Sequence, residues 1–236
     1  KLYLFINFIY KSPEYFLITY ILFAFLFIYS KNFFINKFEL FNYKLLLLIL
    51  ILLYPNLILF FIPYPIYDGM RLFLWTLPYF CLIPGLTIYY LIDNLKFLKV
   101  KIIFVLLCLC FFYFFINFLI ITPYQYTYLN IFNGKKENRH QKFENDYWGV
   151  SLKELINKSN LDFNKTIKFA TCGTAAKTAK YYLKKKGYHN FKFVSANDAN
   201  YMIMTNRVTW NGNFITCFDN FKGTNISKVE RNNLIL

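Results

Sequence analysis

Histidine and acidic residues are what this chain has least of, with 2 His and 12 Asp/Glu against 27 Lys/Arg in 236 residues. His140 and His189 stand alone, there is no Cys-x-x-Cys, and the carboxylates do not cluster, which removes the usual donor sets of a structural zinc or a hydrolytic metal. No cofactor is evident, and nothing in the pattern indicates a divalent cation. A Ser/His/Asp set and a Walker motif are also missing. The 5 Cys make no framework: Cys81, Cys108 and Cys110 fall in apolar runs, where they act as small apolar residues, and Cys172 and Cys217 pair only if the fold brings them together. Gly and Ala are scarce while Phe, Tyr, Ile, Lys and Asn are heavily used, the imprint of an AT-rich coding sequence, so raw aromatic and Lys counts are discounted. The first apolar segment lacks the basic start and small-residue cleavage site of a signal peptide. No internal repeat or low-complexity linker is visible.

What is there is apolar surface and positive charge. The chain is 57% hydrophobic and 23% aromatic yet carries a formal net charge of +15, unlike an ordinary soluble domain. Residues 1–122 hold nine Lys/Arg and four Asp/Glu, a balance of +5; residues 123–236 hold eighteen and eight, a balance of +10. The predicted fold class is therefore a polytopic α-helical membrane protein of about four transmembrane helices followed by a small extracytoplasmic α/β domain. Its divisions are a transmembrane region at 1–122, a connecting arm at 123–149 and the α/β domain at 150–236. The chain starts at Lys1 without Met and stops inside the apolar pattern Asn233-Leu234-Ile235-Leu236, which reads as a piece of something longer.

In order, residues 1–14 read as an interfacial entry, in which Lys11 and Glu14 pair or snorkel, and Tyr15 to Tyr29 as a short first run. Lys31, Lys37, Glu39 and Lys44 mark a basic loop. Leu45 to Ile62, broken by Pro55, and Leu72 to Ile92, bent by Pro78 and Pro84-Gly85, are the second and third spans. Asp93, Lys96, Lys99 and Lys101 form another basic loop before the fourth, Ile102 to Ile121. Short Lys-rich connections face the cytoplasm, so 31–44 and 93–101 are assigned inside, and the 67–71 loop and everything after Thr122 outside. In a bacterium this is a multi-pass protein of the inner membrane with a periplasmic C-terminal domain.

Past the arm, Ser151 to Ser159 is predicted as a helix capped by Ser151, with Glu154 closing a capping box. Thr166 to Cys172 is a strand, Thr174 to Lys186 a helix closed by Gly187, and Phe191 to Val194 and Tyr201 to Thr205 are further strands with a parallel pair among them. Phe214 to Phe218 and Val229 to Leu236 are candidate added strands. The single Gly173 between strand and helix is an ordinary turn more often than a phosphate cradle. Lys184-Lys185-Lys186 ends a helix, where cations suit the dipole, and reads as a solvated cap; no nucleic-acid partner is expected.

The polar island Ile62-Pro63-Tyr64-Pro65-Ile66-Tyr67-Asp68-Gly69-Met70-Arg71 joins two apolar runs and holds the only charges between Lys44 and Asp93. A short loop at the membrane surface with an acid and a base three residues apart suits binding a polar group at headgroup level. A bare turn whose Asp68 and Arg71 pair with each other or with headgroups stays open as the alternative. Tyr67-Asp68-Gly69-Met70-Arg71 with Phe73 and Leu77-Pro78, then Pro123-Tyr124-Gln125-Tyr126-Thr127-Tyr128-Leu129-Asn130, then Phe143-Glu144-Asn145-Asp146-Tyr147-Trp148-Gly149, together resemble the C-terminal half of bacterial membrane glycosyltransferases. That family is related to the dolichyl-phosphate-mannose protein mannosyltransferases and the lipid A aminoarabinose transferases, of the GT-C superfamily. The resemblance covers roughly residues 45–155. It implies an enzyme that moves a sugar from a polyprenyl-phosphate carrier to a lipid, glycan or protein acceptor at the outer face, with its catalytic carboxylates upstream of Lys1. Leu72 stands where family members often carry His.

The chemistry assigns roles to the same residues. A lipid-linked sugar keeps its phosphate at the interface, where Arg71 offers bidentate pairing, with Asp68 and Tyr67 shaping the pocket and Lys11 as a second cation. Asp68 either orients Arg71 or binds a sugar hydroxyl. Tyr124, Tyr126 and Tyr128 alternate as a strand face would, so Tyr124, Tyr126, Gln125 and Asn130 are candidates for the acceptor or the interface; an aromatic belt accounts for the tyrosines equally well. Asp146, Tyr147 and Trp148 read as a packing latch between arm and tail domain before a sugar site. Polyprenyl-phosphate-linked sugar and membrane lipids are the expected partners. The reading from a different class is a non-catalytic membrane-anchored α/β domain acting as a subunit or acceptor-binding module.

Overall fold

The computed structural model describes residues 3–62, 71–134, 146, 148–162, 165–207, 216–221 and 223–236. It falls into two compact units, one of Lys1–Phe118 with Leu129–Phe132 and one of Leu119–Tyr128 with Asn133–Leu236.

In the first unit, α1 (Tyr3–Lys11) and α2 (Glu14–Tyr29) meet at Ser12-Pro13 at an angle of 111°. Pro13 has no N–H to donate and opens α2, which explains the break. The basic loop expected after Tyr29 instead carries a short helix, α3 (Lys31–Lys37). Its Phe34 is wholly buried against Phe23, Phe41 and Tyr90, and that packing outweighs the polarity of Lys31 and Lys37. Then come α4 (Phe41–Phe61), a 3₁₀ turn (Arg71–Thr76), α5 (Leu77–Asp93) and α6 (Leu98–Ile120). Phe41–Phe61, Leu72–Asp93 and Leu98–Ile120 are each long and apolar enough to cross a membrane, and the bent α1–α2 pair makes a fourth if it is one span. Apolar side chains cover their outer faces, and on α6 only Leu107 is buried.

Where these helices touch, small hydroxyl residues allow close approach, as is usual between helices in lipid. The Thr87 hydroxyl donates to the Thr19 carbonyl at 3.0 Å, and the Tyr20 hydroxyl to the Phe80 carbonyl at 2.6 Å, pinning α2 to α5. Lys37 and Asp93 form an exposed ion pair at 3.5 Å.

The second unit holds α7 (Leu152–Lys158), β1 (Ile167–Cys172), α8 (Ala176–Lys185), β2 (Phe191–Phe193), β3 (Tyr201–Met204), α9 (Cys217–Asn220), β4 (Glu230–Arg231) and β5 (Leu234–Ile235). β1 lies between β2 and β3 and pairs parallel with both, Phe169 facing Phe193 and Tyr201 in register. Ile167, Phe169 and Ile203 share a core with Leu152 and Ile156 of α7 and Ala179 and Leu183 of α8. Ala179 and Leu183 sit four apart, so one stripe of α8 is buried while Lys177, Lys180 and Lys184 stay in water. Gly187, at φ 91°, ends α8 with the paired bonds of a Schellman turn, Gly187 N–H to Lys184 O at 2.9 Å and Tyr188 N–H to Leu183 O at 3.0 Å. Lys186, expected in solvent, instead donates to the Ile156, Asn157 and Ser159 carbonyls at the C-terminal end of α7.

Two further differences concern the tail. Of the strand expected over 214–218, residues 214 and 215 lie outside the described residues, and Cys217–Asn220 is helical because Thr216 caps it by accepting from the Asp219 N–H. Val229 to Leu236 forms the antiparallel hairpin β4–β5, turned at Asn232 and Asn233 with φ 51° and 62°, the left-handed pair a two-residue turn requires. Cys172 at the end of β1 and Cys217 are joined in a disulfide, with Cα atoms 5.7 Å apart.

Candidate functional site

Tyr67 and Asp68 lie outside the described residues, as does Tyr147. Arg71 opens the 3₁₀ turn that leads into the apolar helix Leu72–Asp93, which puts its backbone at the mouth of a potential span. Thr76 closes that turn, its buried hydroxyl donating to the Phe73 carbonyl at 2.6 Å.

Lys11 and Asn130, far apart in sequence, come together in the first unit. Lys11 is the last residue of α1, a helix whose final carbonyls have no partner within it. Asn130 supplies those partners. Its side-chain amide donates to the Ile9 carbonyl at 2.5 Å and the Ser12 carbonyl at 2.9 Å, and its backbone N–H to the Tyr10 carbonyl at 3.2 Å. The neighbouring Ile131 N–H donates to Glu14 Oε1 at 3.0 Å. Asn130 and Glu14 are both buried, 1% and 8% exposed, so Asn130 works as a clamp on the α1–α2 break, with Lys11 inside the clamped turn.

In the second unit the tyrosines do not alternate along a strand. Gln125–Thr127 is a 3₁₀ turn, which buries Tyr124 and Tyr128 and leaves the Tyr126 ring half-exposed. The Gln125 side-chain amide donates to the Thr122 hydroxyl at 2.8 Å. Tyr126 donates its hydroxyl to Asp146, which is wholly buried and also accepts from the Val150 N–H at 2.9 Å, the Ser151 N–H at 2.8 Å and the Ser151 hydroxyl at 2.5 Å. The two N–H groups belong to Ser151, which immediately precedes α7, and to its neighbour Val150, so Asp146 caps the turn that leads into α7; Ser151 has helical φ/ψ and donates where a capping box needs it to accept. Trp148 is exposed. Burial, then the bond to Asp146, raises the Tyr126 pKa above the ordinary phenol range.

Glu154, freed from the capping box, holds a cluster that the sequence did not disclose. It accepts from Arg231 through both terminal guanidinium nitrogens, at 3.0 and 2.6 Å, from Lys158 at 2.6 Å and from the Tyr124 hydroxyl at 2.8 Å. The Arg231 guanidinium lies 5.2 Å from the centre of the Tyr124 ring. Desolvation alone would raise the Glu154 carboxyl, but hydrogen bonds from Arg231, Lys158 and Tyr124 outweigh it and hold its pKa at about 2. Tyr124 is pushed the other way, by burial first and by Glu154 second. No local signal marks a pair 77 residues apart; Asn232-Asn233 was the one clue that Arg231 sits on a hairpin.

Chemically, Glu14, Asp146 and Glu154 are each occupied by hydrogen bonds that hold the fold. Among the described residues, no three His, Cys, Asp or Glu come together as a metal site would need. Comparisons with family models, curated proteins and solved structures return no match.

Proposed function

We propose that this chain is the C-terminal part of an integral membrane glycosyltransferase, moving a sugar from a polyprenyl-phosphate carrier to an extracytoplasmic acceptor. The observation that carries the reading is Arg71 at the start of the turn entering an apolar helix of spanning length, the level at which a carrier phosphate sits. In the transfer, an acceptor hydroxyl oxygen bonds to the anomeric carbon as the bond from that carbon to the phosphate oxygen breaks. The hydroxyl proton passes to a carboxylate on a segment preceding Lys1, and the phosphate leaves with the negative charge. A guanidinium fixed beside those oxygens favours the charged leaving group over the ground state, an effect that grows in a partly dry pocket.

The orientation that the reading needs draws support from the Lys-rich connections and from the Cys172–Cys217 disulfide, a bond that persists in oxidising compartments such as the periplasm. A second reading, an anchored non-catalytic module, is favoured by one fact: Glu14, Asp146 and Glu154 all serve the fold. The test is transfer from a polyprenyl-phosphate sugar by the full-length protein in nanodiscs, normalised to folded protein. Arg71→Ala should lose about 2 to 4 kcal/mol of transition-state stabilisation, roughly a thirtyfold to thousandfold fall in turnover, and Arg71→Lys should recover only part of it. Turnover near that of the unaltered protein would sink the assignment of Arg71.

A further inference from the structure

The second unit is fastened close to the point where α6 ends. Leu119 and Ile120, the last residues of α6, belong to this unit, and the segment that follows packs into it, with Ile121 and Tyr124 buried. Two bonds tie that segment to α7 and to the β4–β5 hairpin. Tyr124, four residues past Ile120, donates to Glu154 at 2.8 Å, and the Thr122 carbonyl accepts from Arg231 Nε at 3.3 Å. Four residues reach no further than about 14 Å even when fully extended. With α6 as a span, which its length and composition allow, α7 is held near the lipid headgroups.

What the unit displays beside that anchor is aromatic, apolar and positive. Trp148 is 57% exposed, Val150 48% and Tyr126 45%. They gather round Asp146, to which Tyr126 and Val150 bond and from which Trp148 is two residues along the chain. Lys153, in the first turn of α7, and Lys177, in the first turn of α8, are both exposed. Gly149 brings the entry to α8 alongside: at φ 64° and without a side chain it lets the Thr174 hydroxyl come so near that a Cβ there would lie 3.1 Å from it. Asp146 and Glu154 do not oppose an anionic partner, since the first is wholly buried under its donors and the second is paired with Arg231 and Lys158. The sequence just before Asp146 is net positive, with Lys135, Lys136, Arg139 and Lys142 against Glu137 and Glu144. Amphipathic rings flanked by lysines, whose long stems let the ammonium reach phosphate oxygens, suit the headgroup layer of a bilayer.

We propose that this face of the second unit docks on the bilayer beside α6 and prefers anionic phospholipid, with Trp148 and Val150 entering the headgroup layer and Lys153 and Lys177 supplying the charge preference. The docking depends on α6 crossing the membrane and not on the transfer reaction.

The test places the full chain in nanodiscs of phosphatidylcholine, alone or with about a third of phosphatidylglycerol. Brief treatment with N-hydroxysuccinimide acetate, read by mass spectrometry, gives the accessibility of each lysine. Lys153 and Lys177 should react about fivefold more slowly in the anionic discs, the shift that one lysine at such a surface produces. Lys168 and Lys192 are the controls and should change by less than about twofold, since they pair across β1 and β2 on the sheet face turned away from α7 and α8. Salt at about 0.5 M should remove the difference. In a Trp75→Phe, Trp210→Phe protein Trp148 is the single tryptophan, and lipids brominated near the headgroup should quench it. Lys153→Gln combined with Lys177→Gln, both on exposed positions, should abolish the preference for anionic discs and leave thermal unfolding unchanged. Equal acetylation of Lys153 and Lys177 in both lipids, or slowing of all four lysines alike, would overturn the proposal. Trp148 unquenched by brominated lipid would overturn it too and leave the face to a protein or saccharide partner. A chain that fails to enter nanodiscs would remove the span on which the docking depends.

Discussion

Replacing Asp146 by Ala removes a carboxylate that is wholly buried and accepts four hydrogen bonds, from Tyr126, the Val150 N–H, the Ser151 N–H and the Ser151 hydroxyl. The two backbone donors are the severe loss. The buried Ser151 N–H is left without an acceptor, at a cost of about 1 to 3 kcal/mol, and the Val150 N–H, on a residue 48% exposed, loses less because water reaches it, while the hydroxyls of Tyr126 and Ser151 can rotate toward other partners. A loss of about 3 kcal/mol follows for the second unit, a large share of the roughly 5 to 15 kcal/mol that holds a domain together. At about 4 °C per kcal/mol for a unit of this size, its melting temperature should fall by about 12 °C. Asp146→Asn keeps one acceptor oxygen and turns an NH2 toward the donors, so about half the loss should remain. Asp198→Ala is the control: that carboxylate serves only an exposed turn, accepting from the Ser195 hydroxyl at 2.6 Å. Thermal unfolding in nanodiscs, with hydrogen exchange followed over 150–158, measures both the size and the place of the damage. A loss below about 1 kcal/mol for Asp146→Ala, or undiminished protection of α7, would refute the assignment of Asp146 as its cap.

The remaining expectations are shorter. Glu154 has a folded pKa of about 2, below its ordinary value, so the stability it contributes is fully present above about pH 4.3 and is lost as pH falls toward 2. With a fifth of its side chain in water, the contribution is about 1 to 2 kcal/mol; urea melts should show the gap between the unaltered protein and Glu154→Gln closing below pH 4, and a gap constant with pH would refute it. Mass spectrometry after alkylation should find Cys172 and Cys217 joined and Cys81, Cys108 and Cys110 as free thiols; a labelled Cys172 without reduction would contradict the pairing. Reporter fusions after Asn130 should read extracytoplasmic and fusions in the 93–101 connection cytoplasmic, and the reverse pattern would overturn the orientation.

The elements that the sequence disclosed are those set by local pattern. The apolar runs gave α4, α5 and α6, and the change of period after Val150 gave β1, α8, β2 and β3 in order, with Gly187 at the end of α8. What escaped depends on contacts distant in sequence. The Lys-bearing stretch after Tyr29 folds as α3 because Phe34 finds an aromatic pocket, a gain that charge counting does not register. Ser151 and Glu154 have capping-box spacing, but Asp146 reaches the helix start first, and Arg231 takes Glu154 away. Of the candidate site residues, Asn130 turned out to hold the α1–α2 break and Asp146 a helix start, roles that residue type alone does not separate from ligand contact.

The salt bridge between Glu154 and Arg231 also sets an order of events at the ribosome. Arg231 is translated 77 residues after Glu154, a delay of roughly 4 to 15 s at ordinary elongation rates. Until it emerges, Glu154 has only Lys158 and Tyr124, and the N-terminal wall of the second unit waits for its last strand pair. Premature termination between the end of β3 and Arg231 therefore yields a product whose long apolar helices are complete but whose second unit lacks its closing ion pair, so proteolysis of that product should fall on the second unit.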